Sequence, residues 1–104
     1  MTTDRLYNAL GLCQRAGKVR SGAFAVESTI RAGKAKLVLL EETASEATKT
    51  RYEQLCAAHG VPMAMTETVG RAIGKDARIV MAVTDDSFRD MIERAMRNTD
   101  EKRG

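Results

Sequence analysis

Two short unbroken apolar runs, Leu37–Leu40 and Ile79–Val83, constrain the fold more than any other feature of this 104-residue chain. A strand with one wet face alternates apolar and polar residues, whereas a run without a polar member marks a strand covered on both faces. Each run follows glycine and basic residues. Gly33-Lys-Ala-Lys36 precedes the first, and Val69-Gly-Arg-Ala-Ile-Gly-Lys75 with the charged hinge Lys75-Asp76-Ala77-Arg78 precedes the second. Strands buried on both faces require helices on both sides of a sheet.

The remaining pattern supplies those helices. Leu6, Leu10 and Cys13 fall at i, i+4 and i+7, which predicts a helix over 3–16 stopped by Gly17. Val19, between Lys18 and Arg20, marks a short strand. A second helix is predicted over 22–32, with Ser21 as N-cap, Ala23, Val26 and Ile30 as its inner face, and Gly33 at its end. Thr43-Ala-Ser-Glu46 matches a capping box opening a helix to about Ala58, with Tyr52, Leu55 and Cys56 inward and Gly60 as C-cap. Val61–Met65 reads as a strand, residues 67–74 as a short helix, and Arg78–Thr84 as the second buried strand. Asp85 or Asp86 then caps a last helix carrying Phe88, Met91, Ile92, Ala95 and Met96 on one face. Helices and strands alternate, so the expected fold is α/β, with helices on both faces of a sheet of about four strands. Residues 1–99 are expected to form one domain, with Asp100–Gly104 as a frayed tail.

Composition narrows the class. Charged residues are 30% and apolar residues 43%, a globular balance. No apolar stretch approaches the ~20 residues that span a bilayer, and Met1-Thr-Thr-Asp-Arg5 has neither the basic start nor the apolar run of a signal peptide. A cytoplasmic location, with no membrane partner, is the expectation. Cys13 and Cys56 stand far apart in helical patterns, without C-x-x-C, and His59 is the single histidine. Buried thiols are expected, with no disulfide framework and no metal site. The net charge of +3 is unevenly spread: residues 1–40 carry seven Lys/Arg against two acids, residues 41–68 two against five, and residues 69–104 eight against seven. The basic first segment suits a polyanion.

Motifs for catalysis are missing. The chain has no phosphate-binding G-x-x-x-x-G-K-[ST] loop, no dinucleotide G-x-G-x-x-G and no G-x-S-x-G elbow. The paired acids Glu41-Glu42 and Asp85-Asp86 lie where strands end and helices begin, which helix polarity explains. A non-catalytic protein without cofactor is expected. The chemistry that remains is a basic, glycine-rich set of loop ends: Arg15, Gly17, Lys18, Arg20, Ser21 and Gly22 surround the start of the second helix. A helix start offers free N–H groups and a positive dipole end to phosphate, and arginine forks onto phosphate or guanine. With only four aromatic residues, Tyr7, Phe24, Tyr52 and Phe88, extended stacking platforms are not indicated.

From Gly11 to Phe88, about three quarters of the chain, the sequence resembles the ribosomal protein L7Ae/L30e superfamily, and most nearly its small bacterial, YlxQ-like branch. The likeness rests on Leu10-Gly-Leu-Cys-Gln-Arg-Ala-Gly-Lys18, Ser21-Gly22, Ile30-Arg-Ala-Gly-Lys-Ala-Lys-Leu-Val-Leu-Leu40, Val61-Pro62, Gly70-Arg-Ala-Ile-Gly74 and Val80-Met-Ala-Val-Thr84. The resemblance implies a three-layer α/β/α sandwich around a mixed four-stranded sheet. It also implies binding of structured RNA, typically the kink-turn, in which tandem sheared G·A pairs beside an internal loop bend a duplex. Association with the ribosome or with translation-factor proteins is implied too, and a free monomer is expected.

In that family Asn, Glu and, three further on, Lys at the start of the second helix read guanine edges. Counting back from Gly33, these positions hold Phe24, Ala25 and Ser28 here. Glu27 is the nearest carboxylate. The expected RNA edge is therefore Lys18, Arg20, Ser21, Gly22, Phe24, Ala25 and Ser28, with Arg15, Arg31 and Lys34 on backbone phosphates. Gly70, Arg71, Lys75 and Arg78 are expected to form a second wall. The alternative is a protein-interaction module of the same fold with weak RNA binding, Phe24 serving as an apolar anchor.

Overall fold

Leu37–Leu40 and Val80–Val83 lie side by side at the centre of one sheet. The computed structural model describes residues 2–66 and 80–103, with side chains described for residues 5–66 and 80–97. In chain order the elements are α1 (Thr2–Arg15), β1 (Val19–Ser21), α2 (Ala23–Arg31), β2 (Leu37–Glu41), α3 (Glu46–His59), β3 (Met63–Thr66), β4 (Val80–Val83) and α4 (Asp86–Arg103). The strand order is β1-β4-β2-β3. β4 runs antiparallel to β1, with Arg20 opposite Ala82, and antiparallel to β2, with Leu39 opposite Met81. β3 is parallel to β2 and is reached through α3, because a parallel pair needs a crossover.

Successive side chains of a strand point to opposite faces, and the two central strands feed two cores. Leu37, Leu39, Met81 and Val83 pack with Leu10 and Cys13 of α1 and Ile92 of α4. Val38, Leu40, Val80 and Ala82 pack with Val26 and Ile30 of α2 and with Tyr52 and Cys56 of α3. Every residue of β2 and of β4 is buried. The result is the three-layer sandwich around a mixed four-stranded sheet.

Local details depart from expectation in four places. Ser21 is not the cap of α2: it pairs with Met81 as the last residue of β1, and Gly22, at φ 90°, is the N-cap. Ala23, at the first helical position, is exposed, so Val26 and Ile30 are the buried residues of α2. Thr43 does not open α3. A turn closed by the Ala44 N–H to Glu41 O (3.0 Å) carries the chain past it, and the Ser45 hydroxyl accepts from the Thr48 N–H at 3.1 Å. Helix α4 runs on to Arg103 rather than stopping before Asp100, for no proline or glycine interrupts it. Asp85 caps that helix, its carboxylate accepting from the Phe88 N–H at 3.1 Å. Gly60 ends α3 in the left-handed region at φ 67°.

Candidate nucleic-acid interface

The start of α2 is bare. Its first intrahelical bond is the Val26 N–H to Gly22 O, at 3.0 Å, so the N–H groups of Ala23, Phe24 and Ala25 precede the ladder. No side chain caps them. Gly22 makes this geometry possible. Its N–H closes β1 against Val80 O at 3.0 Å while its positive φ turns the chain into the helix, a conformation that costs a side chain free energy. Phe24 projects from this end and is 89% exposed. Ser28, one turn on, is exposed, and Ala25 is half-buried, its carbonyl accepting the Thr29 hydroxyl at 2.7 Å. Neither Phe24 nor Ala25 offers a side-chain hydrogen bond to a base.

Glu27 faces elsewhere. Its carboxylate accepts from Arg51 Nη2 at 2.6 Å and from the Tyr52 hydroxyl at 3.2 Å, with Arg31 Nη1 at 3.8 Å. It is tied into the α2–α3 contact with its side chain only 12% exposed. Burial, then the charge and hydrogen bond of Glu27, push the Tyr52 hydroxyl up to about 12. Arg31 is held loosely to the same carboxylate and is itself exposed.

The basic residues expected around the start of α2 divide into groups. Arg20 folds back: its Nη1 donates to Gly17 O at 3.0 Å and to Val19 O at 3.1 Å. It thus lines an open depression of about 480 Å³ beside the C-terminal end of α2, together with Lys34 and Ser28. Lys36, Thr29 and Thr84 line it too and were not singled out in the sequence. Lys36 had a readable signal, lying two residues from Lys34 at the entry to a strand, but no local pattern ties Thr84 to α2. Arg15 ends α1, and Lys18 follows the turn at Gly17; both are exposed. The carbonyl of Lys18 accepts the Thr84 N–H at 2.9 Å. Gly70, Arg71, Lys75 and Arg78, with the helix expected over 67–74, lie outside the described residues.

Nothing among the described residues gathers three or more His, Cys, Asp or Glu side chains for a metal. Cys13 and Cys56 are free and buried, one in each core. Burial first, and then the charge of Asp85, push the Cys13 thiol up to about 11, and burial raises Cys56. Both are thereby poor nucleophiles. His59, at the end of α3, is exposed. Among the described residues, no helix is long and apolar enough to cross a membrane.

Comparison with known proteins follows this geometry. The model of the ribosomal protein L7Ae/L30e/S12e/Gadd45 family matches residues 4–92. The chain is 46% identical over 85 residues to the RNA-binding protein YlxQ of Bacillus subtilis (strain 168), covering 79% of this chain and 85% of that one. A Bacillus halodurans C protein of unknown function superposes with a TM-score of 0.82 at 29% identity, over 88% of this chain and 95% of its own. The Giardia lamblia 15.5kD RNA binding protein superposes with a TM-score of 0.74 at 19% identity, over 96% and 88%, a likeness of fold. With the family pattern running through α1, β1, α2 and the central strands, the chain belongs to the ribosomal protein L7Ae/L30e/S12e/Gadd45 family.

Proposed function

We propose that this protein binds structured, kink-turn-like RNA as a monomer, without catalysis, in association with the ribosome or translation. The observation that carries this reading is the uncapped start of α2, turned by Gly22 and flanked by the exposed Phe24, in a chain 46% identical to an RNA-binding protein. The three free N–H groups and the dipole receive a phosphate. Lys18, Arg20, Ser21, Gly22, Phe24 and Ser28 form the edge, Ala25 lies beneath it, and Arg15, Arg31 and Lys34 neutralise neighbouring phosphates. Phe24, Ala25 and Ser28 do not read guanine edges. Each bidentate base contact contributes ~1–3 kcal/mol of discrimination, so the preference for sheared G·A pairs is small and phosphate contacts dominate.

A titration against a standard kink-turn RNA, and a control in which Watson–Crick pairs replace the sheared pairs, tests this at two salt concentrations. The expected result is salt-sensitive binding to both, with a preference for the kink-turn below about tenfold, a difference of ~1.4 kcal/mol. Binding to the kink-turn alone would assign guanine readout to other residues. No binding to either RNA would overturn the RNA reading. The exposure of Phe24 favours one second reading, an apolar anchor for a protein partner. A pull-down that survives nuclease and is lost in Phe24→Ala supports it.

A further inference from the structure

The two edges of the sheet differ in how they are guarded. β1 is three residues long with Arg20 at its centre, the short, charged form that keeps an edge from pairing with another chain. β3 forms the opposite edge. It pairs with β2 residue for residue, without a bulge, and Met63-Ala-Met-Thr66 contains no charge and no proline. Two bonds fix its orientation. The Val38 N–H donates to Pro62 O at 3.0 Å and the Glu42 N–H to Thr66 O at 2.7 Å, so Pro62, Ala64 and Thr66 turn their backbone groups toward β2. Successive residues of a strand alternate in direction. The N–H and C=O groups of Met63 and Met65 therefore point outward, and among the described residues nothing pairs with them.

The flank of this edge is acidic, in a chain whose net charge is +3. α2 packs on β1 and β4. α3 lies on the other side, where Met63 and Met65 pack against the core that holds Tyr52 and Cys56. Arg51 marks the side of α3 turned to α2, through its bond to Glu27. With Tyr52 inward and about 100° between successive residues, Glu53 falls on the opposite side, above the β3 edge, and Glu46 falls there too. Glu42 is exposed and follows β2 beside Thr66. Among the described residues Glu42 and Glu53 enter no ion pair, and Glu46 holds only Lys49, at 3.3 Å. Residues 41–68 carry two Lys/Arg against five acids, and one of the two, Arg51, is spent on Glu27.

We propose that the outer edge of β3 binds an extended, lysine- or arginine-rich segment of a partner protein, which joins the sheet as an added strand. The backbone of Met63 and Met65 supplies the ladder, and Glu42, Glu46 and Glu53 select basic side chains. The added strand has two faces. On the α3 side its residues lie beside Met63 and Met65 below Glu53, and there the basic side chains belong. On the other side they lie beside Ala64, a small half-buried residue against the α1–α4 core, which leaves room for apolar ones. The segment therefore alternates basic and apolar residues. A second copy of this chain does not fit, because β3 paired with β3 sets the same carboxylates against each other. The edge lies three strand spacings from β1, about 14 Å at ~4.8 Å each. The segment and a ligand at the start of α2 thus occupy opposite sides of the molecule, and the assignment stands apart from the RNA reading.

The test titrates the full chain, followed by amide NMR, with a synthetic peptide that alternates lysine and valine. Two control peptides accompany it: one with glutamate in place of lysine, and one N-methylated at alternate amides, which removes strand donors. The expected result is saturable shifts and slowed hydrogen exchange at the Met63 and Met65 amides with the basic peptide. The Ala64 and Thr66 amides, already turned to β2, keep their exchange rates. The N-methylated and glutamate peptides are expected to bind at least about threefold more weakly, as is the basic peptide to Glu42→Gln/Glu53→Gln, a change at two exposed positions. Equal binding of the glutamate peptide would overturn the basic partner. Binding that leaves the Met63 and Met65 amides unmoved, or no binding of any peptide, would overturn the added strand. Protection of those two amides that rises with protein concentration alone would assign the edge to a second copy and overturn the proposal. None of these outcomes bears on the reading of the α2 start.

Discussion

Phe24 leaves nearly all of its side chain in water at the start of α2. Being 89% exposed, it contributes little to folding. Phe24→Ala is therefore expected to shift unfolding by no more than about 0.5 kcal/mol in urea. The same change is expected to weaken RNA binding about fivefold or more, the lower end of what aromatic–base contact contributes, measured by fluorescence anisotropy. Equal affinity in both proteins would remove Phe24 from the interface. Counting back from Gly33 put Phe24 at the start of the helix from sequence alone, yet the count carried no information on its exposure. Burial depends on which neighbours cover a residue, and those neighbours come from elsewhere in the chain. Glu27 makes the same point: its partners Arg51 and Tyr52 lie 24 and 25 residues away.

At the scale of elements, local chemistry was readable to within a residue or two, and the two misplaced helix starts have separate causes. Thr43-x-x-Glu46 and Ser45-x-x-Thr48 both look like helix starts. The chain uses the second because Ala44 is buried and its N–H closes a turn on Glu41, which leaves Thr43 upstream of the helix. Ser45→Ala is expected to cost about 1 kcal/mol in thermal or urea unfolding, a typical N-cap loss. Thr43→Ala, whose hydroxyl makes only a long 3.5 Å contact to Glu41, is expected to cost less than half as much. Equal losses would restore Thr43 as the cap. Ser21 and Gly22 repeat the pattern at α2, where pairing of β1 with β4 claims the serine backbone and passes the cap to glycine. At α2 a tertiary strand pairing made the choice, and at α3 a local turn on Glu41 did.

The whole molecule is two cores sharing one sheet, and each holds a group that resists ionisation: Cys13 on the α1–α4 side and Tyr52 on the α2–α3 side. Their folded values, about 11 and about 12, lie above the ordinary 9.0 and 10.0. A raised value favours the neutral form in the folded state. The associated stability is complete below the unfolded value and is lost as pH rises through the folded one. The urea midpoint is therefore expected to hold to about pH 9 and then fall, each group costing roughly 1–2 kcal/mol by pH 11. Tyr52→Phe is expected to flatten the part of that fall above pH 10, and an unchanged profile would remove Tyr52 as its source. The sequence alone determined the two central strands, the helices around them and the turn glycines at 17, 33 and 60. Those features follow from local periodicity and backbone preference, which neighbouring residues specify. Only the tertiary structure decided that β4 inserts between β1 and β2. It also decided that Arg20 turns from the start of α2 toward its far end, where Lys34, Lys36 and Thr84 meet it. Strand pairing and side-chain clustering join residues distant in the chain, and no local pattern records which distant segment will be the partner.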